Sequence, residues 1–159
     1  MRTKITILAA ILWLSLYSSV PAQEFWQADI KVSVLDAQNR LSLGQKIDAT
    51  DGWNAKYDVP ALLFGDIMAY LEEPEGRKYW RKFRGSCDGR PCVKTWGAVV
   101  ESDLEGQTVK MEWNFSSFPA DMTISLIDEF TGNTINMKTQ TGYTYKNIGK
   151  REFRVEVQR

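Results

Sequence analysis

The chain has 159 residues, with 20 Lys and Arg, 20 Asp and Glu, and no His. Without histidine, Ser-His-Asp and Cys-His catalysis are excluded, together with histidine-ligated zinc, copper and haem. A balanced charge without a basic cluster also argues against nucleic acid as a partner, because phosphate binding needs a concentrated positive field.

Residues 1–22 have the form of a secretory signal peptide. Two cations in MRTK precede an apolar run over residues 5–17, and the small residues Val20 and Ala22 flank the expected cleavage site. The run is shorter than the roughly 20 residues that cross a bilayer, and nothing later replaces it, so we expect no membrane span. No cysteine follows the cleavage site to carry a lipid anchor. The sequence predicts a secreted protein, extracellular or periplasmic.

Residues 23–159 alternate apolar and polar side chains over short runs that Gly, Pro, Asn and Asp separate. In the first run, Ile30, Val32 and Val34 fall on one face. This period of two is typical of half-buried β-strands. About nine runs show it: ADIKVSVLD, RLSLG, YWRKFR, VKTWGAVV, QTVKMEWN, MTISLID, TINMK, YTYK and REFRVEV.

The connections between these runs suit tight turns. DAQNR, DLEGQ, EFTGNT and NIGKR each have the residues of a hairpin turn. Many short antiparallel strands with one apolar and one charged face predict two sheets packed face to face. We therefore expect residues 23–159 to form one all-β domain, an immunoglobulin-like antiparallel β-sandwich of about nine strands, with a barrel as the alternative closure.

One stretch departs from this pattern. PALLFGDIMAYLEE comes closest to the i, i+3, i+4 spacing of an amphipathic helix. Gly65 inside it favours an extended or broken path instead.

Both cysteines, Cys87 and Cys92, lie in CDGRPC, whose Gly and Pro suit a tight reversal. In an oxidising compartment such a pair predicts a local structural disulfide at a hairpin tip. A redox role is the alternative, but the spacing is not Cys-x-x-Cys and no histidine is present to lower a thiol pKa.

Several segments in order resemble a known family. LSLGQKIDATDGWNAKYDVP, VKMEWNFSSFP and ISLIDEFTGNTINM are similar to the immunoglobulin-like or fibronectin-III-like sandwich modules near the ends of large secreted bacterial proteins. Those modules carry an ATDG-aromatic loop, a strand leading into a loop that ends in proline, and a TG turn. The resemblance implies a noncatalytic surface, adhesive or assembly part. Here VPALLFGD replaces the proline run that often follows the loop.

The ATDG loop also contains hard oxygen donors of the kind calcium prefers: Asp48, Asp51, Asn54 and Asp58. Their spacing does not meet the EF-hand register, and no glutamate closes the loop. The alternative that we favour is structural. In it, Asp51 and Gly52 form a turn, Asp48 bonds nearby amides, Trp53 and Tyr57 fold inward over the sheet edge, and a proline ends the pairing.

A carboxylate pair for glycoside hydrolysis needs only two acidic side chains facing a cleft. The conceivable partners are Glu72, Glu73, Asp66 and Asp103. No spacing signature distinguishes them from a solvated charged face. No glycine-rich phosphate loop is present either, so we predict no cofactor and no catalytic residue.

Five of the six tryptophans follow the predicted signal peptide. Trp96 and Trp113 lie in alternating strands and are predicted to be core residues, whereas Trp26 and Trp80 are the candidates for exposure. Exposed aromatic rings can stack on sugars. Asn114 begins a formal glycosylation motif, which we interpret as a chance match in a bacterial chain.

These observations rank three functions. The first is a secreted noncatalytic interaction module of the bacterial cell surface or an extracellular assembly, whose partners are other extracellular or surface proteins. The second is a carbohydrate-binding module that holds polysaccharide with exposed aromatic residues. The third is a small carboxylate-dependent hydrolase. The sequence carries no signal for oligomeric state.

Overall fold

The computed structural model describes residues 25–88 and 90–159, and these residues form an all-β fold without a helix. This confirms the all-β class. The predicted signal peptide lies outside the described residues. The described chain has eleven strands: β1 (Trp26–Val34), β2 (Ala37–Lys46), β3 (Val59–Pro60), β4 (Ile67–Glu72), β5 (Lys78–Gly85), β6 (Val93–Ser102), β7 (Thr108–Ser116), β8 (Thr123–Asp128), β9 (Thr134–Asn136), β10 (Gly142–Lys146) and β11 (Lys150–Gln158).

All nine predicted runs are strands, and β3 and β4 are the two that the pattern did not reveal. In β4, Ile67, Ala69 and Leu71 point into the core, as a period of two requires. Tyr70 on the opposite face is also fully buried, however, and this breaks the apolar-polar alternation. The segment with helix-like spacing is thus an exposed loop followed by a strand.

The strands form one continuous sheet, nearly closed into a barrel, in the order β10-β7-β1-β2-β5-β4-β6-β11-β8-β9. Every pairing is antiparallel except that of β2 with β5. Two separate sheets of about nine strands were expected. The structure joins both halves through β5, which hydrogen-bonds to a strand of each.

Strand β3 lies outside this order and pairs with β5 at Tyr79 and Arg81. On its other side, β5 divides its pairing between two strands. Lys78 and Tyr79 pair with β4, and the segment Arg81–Gly85 pairs with β2, so the two partner strands separate beside Trp80. Asn39 spans the gap between them: its Nδ2 donates to Ile67 O at 3.1 Å, and its Oδ1 accepts from the neighbouring backbone N–H at 2.7 Å. We call this gap the β2–β4 cleft.

The core lies between the two facing halves of the sheet. Trp26 of β1 packs edge-on against Trp96 of β6, with ring centroids 5.8 Å apart, and its Nε1 donates to Gln45 Oε1 at 2.8 Å. Trp26 is therefore buried, and its predicted candidacy for exposure is wrong. Trp96 and Trp113 are buried as predicted. The indole N–H of Trp26 has a buried amide partner, which removes the penalty that usually keeps such a group at the surface.

A buried ion pair joins strands from the two opposite edges of the sheet. Asp128 of β8 accepts hydrogen bonds from Arg151 Nε at 3.1 Å, from Arg151 Nη2, and from the hydroxyl of Tyr143 on β10 at 2.7 Å. Burial alone would raise the pKa of Asp128, but the hydrogen bonds from Arg151 and Tyr143 outweigh it and lower that pKa. The contact ties β8, β10 and β11 together where the sheet nearly closes.

The turn predictions were half right. DAQNR and EFTGNT belong to the β1–β2 and β8–β9 hairpins, although the first turn is centred on Leu35 and Asp36. DLEGQ and NIGKR connect strands that are not neighbours in the sheet. The Cys87–Cys92 disulfide is present, but it lies in the connection between β5 and β6, which are also not neighbours, rather than at a hairpin tip.

Gly44 of β2 lies so close to β1 that there is no space for a side chain. A Cβ at this position would lie 2.1 Å from Trp26 O and 2.8 Å from the Phe83 ring. We expect Gly44→Ala to lower the free energy of unfolding by about 1–3 kcal/mol, because neither the backbone nor the ring can move aside freely. Thermal unfolding followed by circular dichroism measures this. Gly52→Ala is the control, since a Cβ there meets only Thr50 Oγ1 at 3.7 Å. Equal stability of the two variants would contradict this packing.

Candidate functional site

Asp48, the first of the four oxygen donors in the ATDG loop, is bound by side chains of its own loop. Its carboxylate accepts hydrogen bonds from Lys56 Nζ at 2.7 Å and from the Tyr57 hydroxyl at 2.5 Å. The main donors to Asp48 are therefore side chains, and the expected backbone amide contributes less. The hydrogen bonds from Lys56 and Tyr57 lower the pKa of Asp48 to about 2.

Asp58 anchors the same loop to β5 through a buried ion pair. Its Oδ2 accepts from Lys82 Nζ at 2.8 Å and from Asn54 N at 2.8 Å, and its Oδ1 accepts from Phe83 N at 2.9 Å. The side chains of Asp58 and Lys82 are both almost completely buried. Lys82 Nζ also donates to Gly52 O. A charge pair in this position requires such complete hydrogen bonding, because desolvation is costly.

The remaining two oxygen donors, Asn54 and Asp51, also bond to other groups of the protein. Asn54 Oδ1 accepts from Thr50 N at 2.7 Å, and its Nδ2 donates to Phe83 O at 3.1 Å. Asp51 pairs with Lys94 Nζ at 2.7 Å. Across residues 25–88 and 90–159, no group of three or more acidic or cysteine side chains is placed to hold a metal ion. The hydrogen bonds and ion pairs of the four oxygen donors give the ATDG loop a structural role.

The two aromatic residues of this loop behave differently from each other. Tyr57 packs edge-on against Phe83, with ring centroids 5.9 Å apart, as an inward fold requires. Trp53 stacks on Tyr79 at 5.5 Å but remains 45% exposed, so it does not fold inward.

The structure separates the four carboxylates considered for hydrolysis into two pairs at opposite ends of β4. Glu72 lies 4.0 Å from Lys78, and Glu73 pairs with Arg84 at 3.1 Å. The groove beside them has a volume of about 620 Å³, and further acidic residues and arginines line it. Glu129 and Arg154 in this groove also form an ion pair, at 2.8 Å. This geometry is that of an ion-paired outer face of the sheet.

Asp66 and Asp103 belong instead to a group of loops at one end of the sheet. Four connections meet there: residues 35–36, 61–66, 103–107 and 147–149. Asn147 N donates to Gln107 O at 2.8 Å, Asn147 Nδ2 donates to Ser102 O at 3.0 Å, and Ser102 Oγ donates to Asp66 O at 2.6 Å. The pairing of β1 with β7 brings loop 35–36 alongside. We call these four loops the acidic apolar end.

The composition of the acidic apolar end is unlike that of the rest of the surface. Its loops contain four carboxylates and no Lys or Arg: Asp36, Asp66, Asp103 and Glu105. Among its apolar residues, Leu62 is 76% exposed, Phe64 is 73% exposed and Leu35 is 69% exposed. Leu62 and Phe64 line one cleft, and exposed apolar side chains that lie together are typical of interaction sites.

The β2–β4 cleft opens beside this end. It has a volume of about 590 Å³, and Trp80 lies in its wall together with Leu62 and Phe64 of the covering loop. Trp80 is 37% exposed, in line with its predicted candidacy. Arg40 and Asp66 are polar residues of the same cleft.

The sequence did not single out Leu35, Leu62 or Phe64 as surface residues. A signal was present for the last two: ALLF is a run of four apolar residues between Pro60 and Gly65. Consecutive apolar residues cannot all face one side of a strand, so some of them must be exposed unless both faces are covered.

No protein-family model, curated protein or solved structure matches this chain. The resemblance to immunoglobulin-like modules therefore stays a prediction.

Within the described residues, no helix is long and apolar enough to cross a membrane.

The Asp58–Lys82 pair predicts a large effect of one substitution. Lys82→Ala leaves Asp58 buried without its cation, and we expect the free energy of unfolding to fall by about 3–5 kcal/mol. Urea unfolding followed by circular dichroism measures this. Lys56→Ala is the matched control, because the Lys56–Asp48 pair is exposed and we expect little change there. If both variants unfold at the same urea concentration, the buried pair does not hold the loop.

Proposed function

We propose that this protein is a secreted noncatalytic interaction module of the bacterial cell surface or an extracellular assembly, and that it binds a partner protein through the acidic apolar end. The observation that carries the proposal is the exposure of Leu62, Phe64 and Leu35 on neighbouring loops. Burying a Leu or Phe side chain fully against a partner contributes about 1.5–3 kcal/mol.

The anchoring of these loops supports a binding role. Loop 61–66, which carries Leu62 and Phe64, is anchored at both ends, because Ala61 N donates to Lys78 O at 3.0 Å and Asp66 O accepts from Ser102 Oγ at 2.6 Å. A surface that is already ordered loses less conformational entropy on association. The apolar side chains are therefore presented on a preorganised support.

Secretion and a noncatalytic role have separate support. The signal-peptide pattern of residues 1–22 and the Cys87–Cys92 disulfide both suit an oxidising compartment. The carboxylates Glu72 and Glu73 face basic residues rather than each other across an open cleft. The sequence resemblance to immunoglobulin-like or fibronectin-III-like modules, together with two facing sheet halves, supports an immunoglobulin-like sandwich of the kind that serves as an assembly part.

The proposal predicts the effect of polar substitutions in the loop 61–66. The protein is added to the extracellular fraction of its source and cross-linked. We expect wild type to retain a protein partner and Leu62→Ser/Phe64→Ser to lose it. The matched control is Val93→Ser/Phe130→Ser, because Val93 and Phe130 are also exposed but lie outside the acidic apolar end. Mass spectrometry of the cross-linked products identifies the partner. Equal retention by all three proteins, or the absence of a partner, contradicts the proposal.

A second candidate function is saccharide binding in the β2–β4 cleft. The observation that favours it is the placement of the exposed indole of Trp80 beside Phe64, Arg40 and Asp66. An aromatic ring with nearby hydrogen-bonding side chains is the usual composition of a sugar site.

Saccharide binding predicts that Trp80→Ala reduces retention on insoluble polysaccharide about fivefold, since a lost ring stack accounts for roughly that factor. Co-sedimentation with cellulose, chitin and peptidoglycan measures it. Trp53→Ala is the control, because Trp53 is exposed to a similar extent but lies outside the cleft. Retention that is unchanged in Trp80→Ala removes this second candidate.

A further inference from the structure

We propose that the partner segment that contacts the acidic apolar end is amphipathic and cationic, with Lys or Arg side chains beside apolar ones. This inference rests on the proposed function, and it names the chemistry of the partner.

The first observation is the state of the four carboxylates at this end. Among the described residues, Asp36, Asp66, Asp103 and Glu105 are the only carboxylates whose side chains have neither an ion pair nor a hydrogen bond. Elsewhere, each described carboxylate that lacks an ion pair still accepts a hydrogen bond. Glu101, for example, accepts one from the Tyr70 hydroxyl. Within residues 25–88 and 90–159, these four carboxylates alone have neither a cation nor a neutral donor.

The second observation is how the charges and the apolar groups alternate. Leu35 precedes Asp36, and Phe64 lies two residues before Asp66. Ile148, 47% exposed, adjoins Gly149, where a Cβ would lie 3.8 Å from Glu105 Oε1. A partner that covers the apolar groups must therefore approach the carboxylates within hydrogen-bonding reach. Cations on the partner would compensate these charges, whereas anions would be repelled.

The flanking cations do not cancel this field. Lys150 is already paired with Glu152 at 2.8 Å. Lys146 donates to the neutral Thr108 Oγ1 at 3.1 Å, and Arg40 lines the β2–β4 cleft with Asp66 without an ion pair to it, so these two cations face four carboxylates. The four loops keep an excess of negative charge.

The same charges argue against other occupants of this surface. A bacterial membrane rich in anionic lipid would be repelled by four carboxylates. A second copy of this chain, docked symmetrically, would place the same carboxylates against each other. A cationic amphipathic segment of another protein meets both the apolar and the electrostatic requirement.

The test uses the full mature chain and two synthetic peptides of about ten residues, a length typical of one or two strands. One peptide alternates valine with lysine, and the other alternates valine with glutamate. Fluorescence anisotropy of the labelled peptides measures binding to wild type, to Asp66→Asn/Asp103→Asn, and to the control Asp88→Asn/Asp121→Asn. The control removes the same charge from residues outside the acidic apolar end.

We expect wild type and the control to bind the lysine peptide, and the Asp66→Asn/Asp103→Asn variant to bind it about tenfold more weakly. Raising the ionic strength from about 0.01 M to about 0.15 M should weaken wild-type binding, because the screening length falls from about 30 Å to about 8 Å. Leu62→Ser/Phe64→Ser should also weaken it.

Four outcomes overturn the inference: no binding of the lysine peptide, equal binding of both peptides, equal loss in the control variant, or preferential binding of wild type to vesicles of phosphatidylcholine and phosphatidylglycerol. None of these removes the proposed function by itself. That proposal fails if Leu62→Ser/Phe64→Ser leaves the native partner bound or if wild type retains no partner, so the two failures can be told apart.

Discussion

The structure depends on a constraint in the pairing of β5. Each residue of a strand can offer its N–H and C=O to only one neighbour on a given side, so β5 cannot pair with β2 and β4 at the same residues. It pairs with β4 through Lys78 and Tyr79 and with β2 from Arg81 onward. This division joins the two halves of the sheet, opens the β2–β4 cleft beside Trp80, and requires Asn39 to span the gap.

The loops at the two opposite ends of the strands differ in how their charged side chains are paired. At one end, Asp58 and Lys82 are buried together and hold the ATDG loop on β5, and Asp51 pairs with Lys94 on β6. At the acidic apolar end, Asp66 and Asp103 have no such partner in the described chain. Buried charges need partners within the protein because desolvation is costly. Exposed charges are solvated by water and stay free to pair with charges on another protein. The contrast is what distinguishes a structural loop from a candidate interface here, even though both are rich in aspartate.

Much of the fold could be predicted from local patterns. Alternation placed Ile30, Val32 and Val34 on one face because a strand turns successive side chains to opposite sides. The same rule failed for β4, where Tyr70 is buried on the outer face beneath contacts with Lys78 and Glu101. The expected exposure of Trp26 did not come from this rule, since alternation places Trp26 on the buried face of Ile30, where it contacts Trp96.

The candidate site was less predictable than the fold. By itself, the sequence determined that the chain is built of short strands, that histidine chemistry is excluded, and which cysteines form the local disulfide, since these follow from residue type and near-neighbour spacing. Only the tertiary structure decided that loops 35–36, 61–66, 103–107 and 147–149 lie together. Three of these loops connect strands that are not neighbours in the sheet, and long-range strand order leaves no period in the sequence. The gathering of Leu35, Phe64 and the four unpaired carboxylates is a consequence of that order.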